Sequence, residues 1–373
     1  MKPIDRRTLV AGVGSGVAAL AGCLDGRRGS VGGLGSGGGG TDEGDTSEAA
    51  GPAPPTVDRE LPTTHSVAEM LEASQSGGPE PDGIPAIDDP TFAPATDPPG
   101  ILDDGDPVFG VEIDGEAKAY PQSVLVWHEI VNDVVSETPV SVTYCPLTGT
   151  AQGFYRGDTT FGVSGQLINS NLVMFDRGTE SWWPQLPAIR ITGNDTGTYL
   201  REFRVVWTTW DRWRSAHPET VVLTDDTGFA RDYGRDPYGG YNPPDGYYTS
   251  DSLVFPALTE DDRLARKEVV IGTRSEHGAA AVRKETLREE RLVPIDVDGV
   301  DRLAVYDREL DTGYVYRPPA AETQSASWDD GRVTIDGEAY APDQLPYERD
   351  LAFDAMWFAW YGYYPETVLY DET

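Results

Sequence analysis

Cysteine is almost absent from this chain: Cys23 and Cys145 are the only two in 373 residues. Cys23 lies in an N-terminal stretch that carries the marks of export and processing, so no intrachain disulfide is expected in the mature protein. Lysine is nearly as scarce, with 4 against 25 arginines, and histidine is confined to His65, His128, His217 and His277. There is no C-x-x-C, no H-E-x-x-H and no acidic calcium loop, so no metal signature of recognised spacing is present. A G-x-S-x-G elbow, a P-loop and a dinucleotide fingerprint are missing as well. The apolar run from Leu9 to Ala21 is too short to span a bilayer.

Acid is what the chain has in excess. Sixty-three Asp and Glu give a formal net charge of −34, spread over the whole length. Such a surface suits either a cationic ligand or a protein kept hydrated in molar salt, and the lack of any acidic block favours the second. At about 1 M salt the Debye length falls to about 3 Å, so this charge neither steers partners nor strongly repels itself. Nucleic acid is not expected as a partner, because phosphate binding needs clustered Lys and Arg.

The N-terminus reads as an address and an anchor. Arg6-Arg7-Thr8 precede the short apolar run, which ends in Leu20-Ala21-Gly22-Cys23. The paired arginines resemble a twin-arginine signal, and Leu-Ala-Gly-Cys resembles a lipobox that leaves Cys23 as a lipidated N-terminus. Residues 1–22 are therefore expected to be a signal, and the protein to be tethered by Cys23 to the outer face of the cytoplasmic membrane. Residues 23–63, rich in Gly, Ser and Asp, are expected to form a flexible tether.

Residues 64–373 predict a single β-rich domain of the α+β class, with multi-stranded antiparallel sheets and a few short helices. VFGVEIDGEAKAYP (108–121) reads as a hairpin turning at Asp114-Gly115. PQSVLVWHEIV (121–131) reads as a short helix with Pro121 at its first turn, and PVSVTYCP (139–146) as a strand ending at Cys145. A second short helix is expected over Trp210–Trp213, with Thr209 and Thr208 at its start and His217-Pro218 at its end. A shift of 162 residues lines up 108–125 with 270–287 without a gap. Two tandem related halves dividing near residue 262 would produce this, and so would two β-rich halves sharing only a pattern. Under that register Asp307 stands opposite Cys145, Glu290 opposite His128 and Arg291 opposite Glu129, so chemistry would belong to the first half.

Three groups of residues can carry chemistry. Cys145 opens the turn Cys145-Pro146-Leu147-Thr148-Gly149-Thr150 at a strand end, where a scaffold presents functional groups; its bland reading is a buried small hydrophobe. His128-Glu129 ends the first helix; His128 is the best candidate base or ligand, or else a cap favoured by the helix dipole. Asp176, Arg177, Trp182, Trp183 and Gln185 crowd polar groups against two tryptophans, as a ligand-binding wall or as a solvated loop over core rings. Trp207, Trp210 and Trp213 read mainly as helix packing.

AYPQSVLVWHEIVND (119–133), VTYCPLTGTA (142–151), FGVSGQLINSNLVMFDRGTESWWPQ (161–185) and WDRWRSAHPETVVL (210–223) together resemble the domain of unknown function 3179 family of bacteria and archaea. That resemblance implies a fold and a set of motifs rather than an activity. Many relatives read C-P-L-C in the turn, and here Thr148 takes the place of the second cysteine, which weakens a two-thiol or two-cysteine metal mechanism. A salt-loving, exported, lipid-anchored archaeal member fits the composition.

Two functions are therefore expected as alternatives. One is thiol catalysis or metal binding at Cys145 with His128 as base or co-ligand and Glu129 orienting, a copper or zinc ion being the metal suited to thiolate plus imidazole. The other is a non-catalytic, surface-tethered binder of a small polar ligand, with the polar cluster a structural network.

Overall fold

The computed structural model describes residues 51–371, apart from residue 59 and residues 320–325. The signal, Cys23 and most of the tether lie outside the described residues. The chain is already joined to the domain at Gly51, whose N–H donates to Gly178 O at 2.7 Å, and Thr56–Val57 pairs with Tyr199–Leu200. No helix among the described residues is long and apolar enough to cross a membrane.

The Asp114-Gly115 turn forms as its sequence requires. Both residues take positive φ, 48° and 85°, and close the antiparallel strands Pro107–Ile113 and Glu116–Pro121. Turns of this hand match the twist of the strands they join. The chain then enters the helix Gln122–His128 directly from Pro121. Ile130–Val135, Thr138–Cys145 and Thr150–Tyr155 follow as an antiparallel meander.

All six elements recur. Val269–Ser275, Gly278–Arg283, Lys284–Glu290, Leu292–Val297, Val300–Asp307 and Thr312–Arg317 each lie 162 residues after their counterparts, with both boundaries kept. The helix Trp210–Ala216 and strand Val221–Leu223 recur as Trp357–Tyr363 and Val368–Tyr370, displaced by 147. In each repeat the first sheet runs in the same order, with its late strand parallel to the second hairpin strand and the other pairs antiparallel. Between fifth strand and closing segment the repeats differ. The first inserts the hairpin Phe161–Ile168 and Asn171–Asp176 with Trp182–Pro184, and the second inserts a small three-stranded sheet over 327–340.

Equivalent positions fill the two cores. Phe109, Tyr120, Leu125, Val131, Val142 and Tyr144 in the first repeat correspond to Ile271, Val282, Leu287, Val293, Ala304 and Tyr306 in the second. In each repeat a tryptophan of the late helix lies flat on a glycine of the first strand. A Cβ on Gly110 would stand 2.2 Å from the Trp213 ring, and one on Gly272 2.3 Å from Trp360. Each indole N–H donates to a threonine hydroxyl at 3.0 Å, Thr220 and Thr367 respectively. Gly110→Ala and Gly272→Ala are each expected to lower stability by roughly 1–3 kcal/mol through overpacking. A urea midpoint unchanged from wild type would show that the indole has room to retreat.

The repeats are joined by a buried ion pair. Arg274 donates to Glu202 at 2.8 Å and to Leu186 O at 3.0 Å, with both charged side chains 2% exposed or less.

Candidate functional site

Cys145 sits where the strand Thr138–Cys145 ends and is 1% exposed. Its sulfur contacts Ser170 O at 3.7 Å, and its hydrophobic cluster includes Ile130, Leu147, Phe154, Tyr238 and Tyr247. Burial, followed by the nearby Glu129 carboxylate, pushes the thiol up to about 11.

Glu129 follows the helix in the left-handed conformation, φ 59°, so its N–H closes the helix on Leu125 O while its own carbonyl accepts from Tyr144 N at 2.7 Å. As a residue Glu129 is 8% exposed, its carboxyl makes no hydrogen bond to any described residue, and burial raises it to about 8. At neutral pH the site therefore holds a protonated acid near a protonated thiol.

His128 is turned elsewhere. Nδ1 is 2.7 Å from Pro85 O and Nε2 is 2.6 Å from the Tyr233 hydroxyl. A carbonyl only accepts, so Nδ1 carries the hydrogen and Nε2 accepts from Tyr233. Burial lowers the His128 pKa, and the ring packs beside Phe229. Both nitrogens are occupied, and no hydrogen bond joins His128 to Cys145. Among the described residues no three His, Cys, Asp or Glu side chains converge as a metal-binding group.

The third group is internally satisfied. Asp176 accepts from Thr179 N, the Thr179 hydroxyl and Trp183 Nε1, which fixes the turn before the tryptophans. Gln185 donates to the Thr143 hydroxyl and Thr150 O, and its oxygen accepts from Thr150 and Asn171. Arg177 bridges Asp82 and Asp88, Arg190 covers the Trp183 ring, and Trp182 is half-buried against core residues of both repeats. Asp176, Arg177, Trp183 and Gln185 direct their polar groups to partners within the protein, and no hydrogen bond to a described residue engages the indole N–H of the half-buried Trp182.

The second repeat offers an internal comparison for the cysteine turn. Asp307 occupies the Cys145 position, and its Oδ1 accepts from Glu309 N at 2.8 Å and Leu310 N at 3.1 Å. The left-handed residue of the turn is Gly149 in one repeat and Asp311 in the other, φ 58° and 52°. The same backbone frame thus holds a thiol in one copy and a carboxyl in the other.

The connection between repeats supplies residues that the motifs did not point to. Tyr233, Tyr238, Tyr241, Tyr247 and Tyr248 fall within sixteen positions of a segment otherwise made of Gly, Pro, Asp, Arg and Asn. Tyr241 and Tyr248 stack at 3.8 Å; Tyr248 and Gln122 both donate to Asp236 Oδ2 at 2.8 Å, and Tyr144 donates to Tyr241 at 3.2 Å. This hub connects the strand bearing Cys145 to an open groove of about 330 Å³. Trp207, Tyr241, Tyr248 and Gly149 line one side of the groove, and Lys267, Lys284, Arg288 and Asp354 come from the second repeat and the segment leading into it. Trp207 stands on the strand Val206–Thr209, outside the helix, and turns its ring to the groove instead of packing beside Trp210 and Trp213.

No curated protein and no solved structure matches the chain. The family model described as protein of unknown function DUF3179 matches residues 81–367, which takes in both repeats and the tyrosine-rich connection. The chain belongs to the DUF3179 family.

Proposed function

We propose that this protein is tethered by lipidated Cys23 to the outer face of the cytoplasmic membrane after twin-arginine export, and that it binds a small polar ligand in the groove between its repeats without acting on it chemically. The observation that carries this reading is the groove itself. It has the size of a small-molecule site, a wall of aromatic rings and a few charged groups. The closed hydrogen bonding of Asp176 and Gln185 supports a structural role for the polar cluster. The depth and high pKa of Cys145 speak for a thiol at rest.

One observation favours a second reading, in which Cys145 works with Glu129 as acid partner: the Glu129 carboxyl is buried with no hydrogen bond of its own.

Thermal-shift measurements on the purified full-length protein separate the two, using panels of organic acids, sugars and metal ions. Groove binding predicts a ligand-dependent rise in Tm that Trp207→Ala removes and Cys145→Ser keeps. Loss of the response in Cys145→Ser alone, or stoichiometric metal that disappears with that thiol, would sink the binding reading in favour of the second.

A further inference from the structure

The groove is one half of a larger site. A second cavity, of about 430 Å³, shares Trp207, Tyr241, Lys284 and Arg288 with it. The two cavities are built from equivalent positions of the two repeats. Gly149, Val269 and Met356 line the first; their counterparts at offsets of 162 and 147, Asp311, Pro107 and Thr209, line the second. Each repeat thus lends its turn to one cavity and its late strand to the other, and the late strands Val206–Thr209 and Ala352–Met356 meet there.

Both cavities are balanced in charge. Lys267, Lys284 and Arg288 stand against Glu268, Glu285 and Asp354 in the first, and Lys284 and Arg288 against Asp211 and Asp311 in the second. In a chain with 63 acidic residues to 29 basic ones, that balance is a local departure. A ligand with net charge of either sign meets no uncompensated partner here, so complementarity selects a neutral one.

The ion pairs also leave hydrogen-bonding capacity unspent. Lys284 uses one of its three donors, on Asp354 Oδ1 at 2.6 Å, and Arg288 three of its five, on Glu285 and Asp311. Asp354 Oδ2, Glu285 Oε1 and Trp207 Nε1 make no hydrogen bond to any described residue. Donors and acceptors side by side suit hydroxyl groups, which do both. The rings of Trp207, Tyr241 and Tyr248 suit a body with an apolar face.

We propose that the site takes a neutral carbohydrate of two sugar rings, one in each cavity, with their C–H faces on the aromatic wall and their hydroxyls on the half-used ion pairs. This rests on the groove being the ligand site. Each cavity alone has the size of a small-molecule site. The two halves differ at the turn. Gly149 and Asp311 share a left-handed backbone, but glycine leaves the first cavity open where Asp311 reaches across to Arg288.

Ligand-observed NMR on the purified full-length protein tests this, with maltose, cellobiose, lactose and trehalose as neutral two-ring probes. Glucose, glucuronate and glucosamine give the one-ring comparison in neutral, anionic and cationic form. At least one disaccharide is expected to bind wild type about tenfold or more tighter than glucose, the gain that one or two further hydrogen bonds bring. Glucuronate and glucosamine should bind no tighter than glucose. Gly149→Asp copies the second repeat's residue onto the same backbone and puts a carboxylate into the first cavity; its Cβ would stand 3.2 Å from the flexible Met356 side chain. It should weaken the disaccharide about tenfold or more, as should Trp207→Ala. The proposal is overturned if none of the four disaccharides binds, if a charged sugar outbinds glucose, or if Gly149→Asp leaves disaccharide affinity unchanged. A non-sugar ligand lost in Trp207→Ala, with no disaccharide bound, would overturn the carbohydrate assignment and leave the groove reading standing. Disaccharide binding indifferent to Trp207→Ala would remove the groove reading itself, and this assignment with it.

Discussion

Glu129→Gln is expected to make the protein markedly more resistant to urea at pH 9 than the wild type, and to make little difference at pH 4.5. The reason is the carboxyl's place at the helix end. The folded protein keeps its proton up to about 8, while the unfolded chain releases it near the ordinary value of 4.5. Between those values the unfolded state binds fewer protons than the native state, so stability falls as pH rises, and the loss is complete above about 8. A shift of that size corresponds to on the order of 5 kcal/mol at most, since relaxation and water entry reduce it. Glutamine keeps the shape of the protonated acid and has nothing to ionise, so it removes this slope. Because the cause is burial and not a neighbouring charge, added salt should leave the effect largely in place. Urea midpoints for the two proteins at pH 4.5, 7 and 9 decide the matter. Parallel curves would mean that the carboxyl reaches water in the folded protein.

The second large effect is expected at the ion pair between repeats. Arg274→Met strips the cation from Glu202, whose side chain is 2% exposed and keeps only the amide of Gln152, and should cost about 3–5 kcal/mol. Adding Glu202→Leu to the same chain should recover a good part of that loss, because two apolar side chains leave no uncompensated charge. A double-mutant cycle read by urea denaturation measures the coupling. Additive losses would show that the two side chains do not depend on each other.

Much of the frame was legible in the residues because local rules settle it. The Asp114-Gly115 pair demands a left-handed turn, Pro121 ends its strand opposite Val108 and stands as the residue before the helix Gln122–His128, and β-branched alternation over 139–144 makes a strand. The register of 162 emerged from a handful of small and apolar matches, and the structure extends it to every boundary of six elements. The surroundings of Cys145 and His128 were not legible. His128 and Glu129 are adjacent, but the ring of His128 is taken by Pro85 O and the Tyr233 hydroxyl, partners 43 and 105 positions away that no local pattern joins to it. The role of the tyrosines was hidden for another reason. Turn-forming residues mark 224–268 as a connection, and no periodicity tells a connection that merely crosses the surface from one whose rings fill a gap between two sheets. The groove depends on residues more than a hundred positions apart, so no local pattern foretold it.

The order of strands in the second repeat has a consequence for how the protein is made. Ala352–Met356 and Val368–Tyr370 supply both outer members of its first sheet, flanking Val269–Ser275 and Gly278–Arg283. During synthesis the two inner strands emerge some eighty residues before their neighbours, with rows of N–H and C=O groups open on either side. A chain interrupted near residue 350 would be a sticky ribbon ready to recruit other chains. The second repeat therefore cannot finish folding until Val368–Tyr370 has left the ribosome, which makes that strand a checkpoint for the repeat.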